Sequence, residues 1–216
     1  MMKAKKILVV DDHPIVREGL ALQIATQADL RVCGEAEDVP SALALVESQQ
    51  PDVAIVDILL KNGNGLDLIR RISERHMEVR ILVWSMYPEN LYAERALHAG
   101  AHGYLHKGQA TGHVLDAIRA VLGGKLYVSR EMTGSLLKRV IGRAATVRSP
   151  MEALSNRELE AFEMMGHGMT TESIATKMHV SPKTVETYRA RIKEKLGLKN
   201  VTQLIQRASQ WVMEYK

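Results

Sequence analysis

Five polar residues stand at the ends of apolar runs in the first half of this chain. Asp11 and Asp12 close "ILVVDD", Asp57 closes "VAIVD", Ser85 closes "ILVWS" and Lys107 ends "GYLHK". One Asp at a strand end is ordinarily a turn residue bonded to nearby backbone amides, and one Lys is ordinarily a solvated charge. The joint placement carries more weight. In an open parallel sheet, ligands collect beyond the carboxyl ends of the strands, so these groups would face one shallow cleft. Three carboxylates about 5 Å apart would repel one another by roughly 3 kcal/mol per pair at an effective dielectric of 20. Oxygen ligands of this kind suit a hard cation such as Mg²⁺, which also binds phosphate oxygens, and Lys107 would neutralise the opposite side. The implied chemistry is metal-assisted handling of a phosphoryl group.

The elements that must position these residues follow from periodicity. Short β-branched runs at Lys6 to Val10, Leu30 to Glu35, Val53 to Asp57, Arg80 to Ser85 and Gly103 to Leu105 alternate with helical patterns near residues 14–26, 40–49, 65–75, 89–98 and 111–123. Pro14, Pro40 and Pro88 fall near first turns, where a missing N–H costs nothing. Five strands alternating with five helices require a parallel sheet covered on both faces. In "GNGLDLIRRI", Gly63 and Gly65 have no third Gly at G-x-G-x-x-G spacing and no following Lys-Ser/Thr pair. They are expected to give the turn after Asp57 its backbone angles and to let the third helix start close by, not to cradle phosphate.

Strand signals stop near Gly124. Residues 129–143 read as a linker helix, 144–153 as a short joint, and 156–166, 171–178, 182–196 and 200–214 as helices. Ser155 and Glu158 have capping-box spacing, and Ser181 precedes Pro182 at a first helical position. The domains expected are 1–124, a linker 125–150, and 151–216. Residues 1–124 carry 13 Lys+Arg against 16 Asp+Glu, a net −3, and residues 125–216 carry 16 against 9, a net +7. The second half is therefore expected to prefer a polyanion. The one cysteine, Cys33, excludes an internal disulfide and a cysteine-based zinc site. The early run "ILVV" is too short for a signal core or a membrane span, so a cytoplasmic protein without a membrane partner is expected.

Over residues 182–196, Val185, Tyr188, Ile192 and Leu196 form one apolar stripe. The opposite face shows Lys183, Glu186, Thr187, Ala190, Arg191 and Glu194, types that read base edges in a major groove. Arg189, Lys193 and Lys195 flank it, placed for phosphates. The last helix carries Val201, Leu204, Ile205, Ala208, Trp211 and Val212 at helical spacing.

"ILVVDDH", "VDILLKNGNGLDLI", "ILVWSMY" and "GAHGYLHK" resemble receiver-domain motifs in their usual order. Residues 154–208 resemble a LuxR-type helix-turn-helix through Leu154, Glu158, Gly168, Ile174, Ala175, Val180, Ser181, Thr184, Val185, Ile192, Lys195, Leu196 and Gly197. The whole chain thus resembles a two-component response regulator of the NarL/FixJ type. The resemblance implies a doubly wound, flavodoxin-like α/β domain with a five-stranded parallel sheet of order 2-1-3-4-5, then an all-α helix-turn-helix domain. It makes Asp57 the acceptor of a phosphoryl group from a sensor histidine kinase. Asp11, Asp12, Asp57 and the main-chain carbonyl of Leu59 would hold Mg²⁺, and Ser85 and Lys107 would take phosphoryl oxygens. Phosphorylation would draw Ser85 toward the phosphoryl group and let Tyr104 turn inward. Lys183, Thr184, Glu186, Thr187, Arg189, Arg191 and Lys193 would contact double-stranded DNA, and Val201, Leu204, Ile205 and Ala208 would form a homodimer contact. Such a regulator catalyses nothing beyond its own phosphorylation and dephosphorylation.

Some positions depart from the family pattern. Lys61 stands where many receivers have Pro, Glu186 where Lys is frequent, and Ser173 where Glu is common. Leu59 and Tyr87 resemble positions that tune dephosphorylation, and an apolar Leu59 cannot position an attacking water, so a long-lived phosphoryl group is expected. Two other functions fit the sequence less well. A phosphoaspartate-forming hydrolase would need D-x-D-x-T/V where this chain has Asp11-Asp12-His13-Pro14-Ile15. A regulator whose receiver serves only as a protein-interaction module would not need the intact acidic cluster.

Overall fold

The computed structural model describes residues 4–61, 63–76, 78–108, 112–140 and 150–214. Strands form where apolar residues run without a break, because both faces of a parallel sheet are covered. These are β1 (Lys5–Val10), β2 (Leu30–Ala36), β3 (Val53–Val56), β6 (Arg80–Ser85) and β7 (Gly103–His106), hydrogen-bonded in the order β2-β1-β3-β6-β7 and all parallel. Numbered among themselves, the five follow the expected 2-1-3-4-5 order. On one face Ile7, Val9, Ile55 and Leu82 pack against Leu20 and Ile24 of α1 (Pro14–Ala25) and against Val114, Ile118 and Val121 of α5 (Gly112–Leu122). The alternate residues Leu8, Val10, Ala54 and Val83 point to the other face and are fully buried. The remaining helices of this unit are α2 (Val39–Gln49), α3 (Gly65–Arg75), α4 (Glu89–His98) and α6 (Arg130–Val140). Strand order reverses between β1 and β3, which puts the ligand crevice beyond their carboxyl ends.

Just past Asp57 lies an element with no counterpart in the expected pattern. Strands β4 (Leu59–Leu60) and β5 (Gly63–Asn64) pair as an antiparallel hairpin. Gly63 takes φ +129°, and a Cβ on Gly65 would come within 2.0 Å of the Asp57 carbonyl oxygen. Both glycines therefore do the backbone task expected of them, next to the acid.

Chain contacts divide the protein into two units, residues 1–144 and 145–216. The joint over 144–149 and the tail of the linker helix over 141–143 lie outside the described residues. The second unit holds a 3₁₀ turn (Pro150–Ala153) and helices α7 (Asn156–Gly166), α8 (Thr171–Met178), α9 (Pro182–Leu196) and α10 (Val201–Glu214). The capping box is formed: the Glu158 amide donates to Ser155 Oγ at 3.3 Å, and the Ser155 amide donates to Glu158 Oε2 at 2.7 Å. Thr184 N donates to Ser181 Oγ at 3.1 Å, which starts α9. Leu159, Phe162, Ile174, Val185, Ile192, Leu204 and Trp211 make the core, where the Phe162 and Trp211 rings meet edge to face at 5.7 Å. Among the described residues no helix is long and apolar enough to cross a membrane.

Candidate functional site

Each strand end delivers its polar residue to the same crevice. Asp11 follows β1 and is fixed by its amide, which donates to the Ala36 carbonyl at 3.0 Å; Asp57 follows β3, and its amide donates to the Val10 carbonyl at 2.9 Å. Lys107 follows β7, its amide donating to the Ser85 carbonyl at 2.8 Å. The side chains then converge. The Lys107 ammonium donates to Asp11 Oδ2 and to Asp57 Oδ2, both at 2.5 Å. Ser85 Oγ donates to Asp57 Oδ1 at 2.6 Å, and the Ile58 amide donates to the same oxygen at 2.6 Å. Asp11, Asp57, Ser85 and the Lys107 side chain are nearly sealed from solvent.

This burial sets the charges. Desolvation lifts the Asp57 carboxyl above its ordinary value and the Asp11 charge adds to the lift, while Lys107 and Ser85 oppose it. Burial works against the Lys107 ammonium, but Asp57 and Asp11 outweigh it and hold that group above its usual value. Single ligand atoms of Asp11, Asp12, His13 and Asp57 all lie within 4.8 Å of one another. Asp12 Oδ1 is shielded from solvent and accepts no well-formed hydrogen bond, although His13 Nδ1 is 2.7 Å away. An oxygen-rich set of this kind fits a hard cation. Leu59, Trp84, Met86 and Tyr87 line the same cleft of about 670 Å³, whose rim on α1 is the exposed Ile15.

Ser85 and Tyr104 both lie in the interior of the unit. Tyr104 is turned inward, 1% exposed, and its hydroxyl donates to the Tyr87 carbonyl at 2.8 Å. Two groups that the sequence did not single out also act here. Arg17, one helical turn beyond His13, donates from Nη1 to the Asp11 carbonyl at 2.7 Å, and its Nε lies 3.4 Å from Glu35 on β2. The His13 amide donates to Asp11 Oδ1 at 2.9 Å. No spacing signal marks Arg17, because its partners are a carbonyl and a residue on another strand.

In the second unit, α9 buries Val185 and Ile192 and exposes Lys183, Glu186, Thr187, Ala190, Arg191 and Glu194. Thr184, Arg189 and Lys193 are half-buried at its borders. Several of the expected contact positions are engaged within their own unit. Lys195 is not a free flanking cation, because its ammonium donates to the buried Glu158 carboxylate at 2.7 Å. Glu186 accepts from Thr171 on α8 at 3.0 Å, which ties α8 to α9, and from Arg189 of its own helix at 2.9 Å. Leu204 and Ala208, expected at a dimer contact, are fully buried within their own unit together with Trp211, and only Val201 and Ile205 of that set are exposed. An apolar stripe must be buried, but its spacing does not say against which chain.

Residues 7–119 match the response regulator receiver domain, and residues 152–208 match the luxR family of bacterial regulatory proteins. The oxygen regulatory protein NreC of Staphylococcus haemolyticus is 35% identical over 208 residues, covering 94% of this chain and 96% of NreC. The chain belongs to the response regulator family. Another response regulator, GacA of Pseudomonas aeruginosa, is 33% identical over 199 residues, with 92% of each chain covered. Among solved structures, RcsB of Salmonella enterica serovar Typhimurium, bound to the promoter rprA in the presence of the phosphomimetic BeF₃⁻, is 25% identical with a TM-score of 0.65, covering 96% of this chain and 99% of RcsB. This response regulator thus joins a receiver domain to a LuxR-type DNA-binding domain, and its acidic crevice lies in the receiver.

Proposed function

We propose that Asp57 accepts a phosphoryl group from a sensor histidine kinase and that this modification controls binding of the second unit to double-stranded DNA as a homodimer. The observation that carries this is the Lys107 ammonium, which contacts Asp11 and Asp57 at once while Ser85 bonds the second oxygen of Asp57. Asp57 would attack phosphorus in line as the bond to the donor nitrogen breaks, and Lys107 and Ser85 would then bind the transferred oxygens. Transfer of this kind relies on positioning and charge neutralisation more than on covalent help. Asp11, Asp12, Asp57 and the Leu59 carbonyl are the groups that would hold Mg²⁺, which supplies further neutralisation of phosphoryl charge when bound. Leu59 offers an attacking water no hydrogen bond, so the phosphoaspartate is expected to last minutes and not seconds.

Exposed Lys183 and Arg191 on α9 would meet the DNA, and Val201 and Ile205 on α10 would pair two copies. The test is a DNA titration of the full chain with and without a small phosphodonor and Mg²⁺. Tighter binding after treatment, lost in Asp57→Asn, supports the proposal. Equal affinity in all samples defeats it and favours a receiver that serves only as a protein-interaction module.

A further inference from the structure

The segment between α5 and α6 is fastened to the receiver at two places, both next to residues that would move on phosphorylation. The first is the edge of the sheet. Tyr127 makes a parallel bridge to Gly103, its amide donating to the His102 carbonyl at 3.1 Å and its carbonyl accepting from the Tyr104 amide at 2.7 Å. The contact is so close that a Cβ on Gly103 would lie 2.9 Å from the Tyr127 carbonyl oxygen and 3.0 Å from the Tyr127 Cβ. Tyr127 thereby covers part of the β7 edge, which would otherwise present unpaired backbone groups, and it does so at the residue pair that includes Tyr104.

The second fastening is on α4. The Ser129 amide donates to Glu89 Oε1 at 2.8 Å, while Ser129 Oγ accepts from the Met132 amide at 3.1 Å and so starts α6. Met132 is 7% exposed and lines a small pocket with Glu89 and Glu94 of α4. Glu89 lies two residues beyond Tyr87, whose carbonyl is held by the Tyr104 hydroxyl and whose ring stacks on Tyr92 at 4.5 Å. A continuous set of contacts therefore runs from Asp57 through Ser85 and the following loop to Glu89 and the start of α6.

We propose that Leu126–Ser129 is a latch, closed while Tyr104 is turned inward, so that phosphoryl occupancy at Asp57 sets how firmly the helix leading toward the DNA-binding unit is held. The inference rests on the phosphoacceptor function proposed above. When Tyr104 swings outward, the Tyr87 carbonyl loses its donor, the loop preceding α4 is freed, and Glu89 no longer reaches Ser129. A phosphoryl group favours the inward arrangement and the closed latch. Among the described residues, two backbone hydrogen bonds at Tyr127 and one from the Ser129 amide to Glu89 fasten the segment to β7 and α4, few enough for it to open locally without unfolding the unit.

The test is amide hydrogen exchange of the segment 125–133 in the full chain, with Mg²⁺ and with or without beryllofluoride, while Trp84 emission reports loading. The centre of the Trp84 ring lies 5.7 Å from Lys107 Nζ, and the ring lines the crevice. Loaded wild-type protein should exchange about tenfold more slowly in this segment, the factor one charge-assisted hydrogen bond supplies. Glu89→Ala should load equally yet show no slowing, and Glu89→Gln, whose amide oxygen still accepts, should recover part of it. Loading of wild type with unchanged exchange, or full slowing in Glu89→Ala, overturns the latch and leaves the phosphoacceptor function standing. Absence of any Trp84 response removes that function and the latch with it.

Discussion

Replacing Lys107 by Met removes one ammonium from between two buried carboxylates, and the consequence can be worked out with its sign. Asp11 and Asp57 each lose a partner at 2.5 Å. Stranding a buried charge costs about 3–5 kcal/mol. The loss is limited by the proton: Asp57, already lifted by burial and by Asp11, can become neutral, at about 1.4 kcal/mol per pH unit between its pKa and the solvent pH. A carboxyl raised above its ordinary 3.8 contributes stability at low pH that is lost as pH rises through the folded value. Lys107→Met should therefore cost about 3 kcal/mol near pH 8 and distinctly less near pH 5, where the stranded carboxyl takes up a proton more readily. Mg²⁺ at about a hundred times its Kd should return roughly 2.7 kcal/mol. The assay is urea unfolding followed by Trp84 emission in a Trp211→Phe background, since the chain has two tryptophans, one in each unit. A penalty that is small and equal at both pH values, or one that Mg²⁺ leaves untouched, would refute the electrostatic account.

Arg17→Ala should weaken Mg²⁺ binding about tenfold, read by Trp84 emission, because groups that orient metal ligands carry effects of that size; unchanged affinity would confine Arg17 to loop packing. Glu158 is pushed up by burial, but Lys195 and Ser155 outweigh this and hold it below its ordinary 4.5. Its stabilisation is therefore present above that value and lost as pH falls through the folded pKa. Unfolding followed by Trp211 should show a weaker second unit near pH 3, with a smaller acid loss in Lys195→Met. Arg191→Ala, on the exposed face of α9, should lower the salt slope of DNA binding by about 1. Lys195→Ala should lower stability instead, because its ammonium is committed to Glu158.

The sheet and the acidic crevice were legible because they follow from short-range pattern. Unbroken apolar runs ending in Asp11, Asp57, Ser85 and Lys107 fix both the strands and the side chains at their tips. Ser155, Glu158 and Ser181 likewise announced their helices, since a cap acts over three residues. What stayed hidden depends on distance across the chain. The β4–β5 hairpin has two residues per strand, too few for any periodicity. Lys195 and Glu158 are 37 positions apart, so a charge on α9 could not be told from a phosphate contact. The stripe Val201, Leu204, Ile205, Ala208 mixes two faces of one helix, and only packing against α7 separates the buried pair from the exposed one. Arg17 speaks to a carbonyl, which leaves no trace in side-chain spacing.

The most direct test of the phosphoacceptor claim is the intact mass of the full chain after incubation with a small phosphodonor and Mg²⁺, for wild type and Asp57→Asn side by side. The account predicts one hydroxylamine-labile phosphoryl group on wild type and none on the variant. Equal labelling of both chains, or a label stable to hydroxylamine, would contradict it.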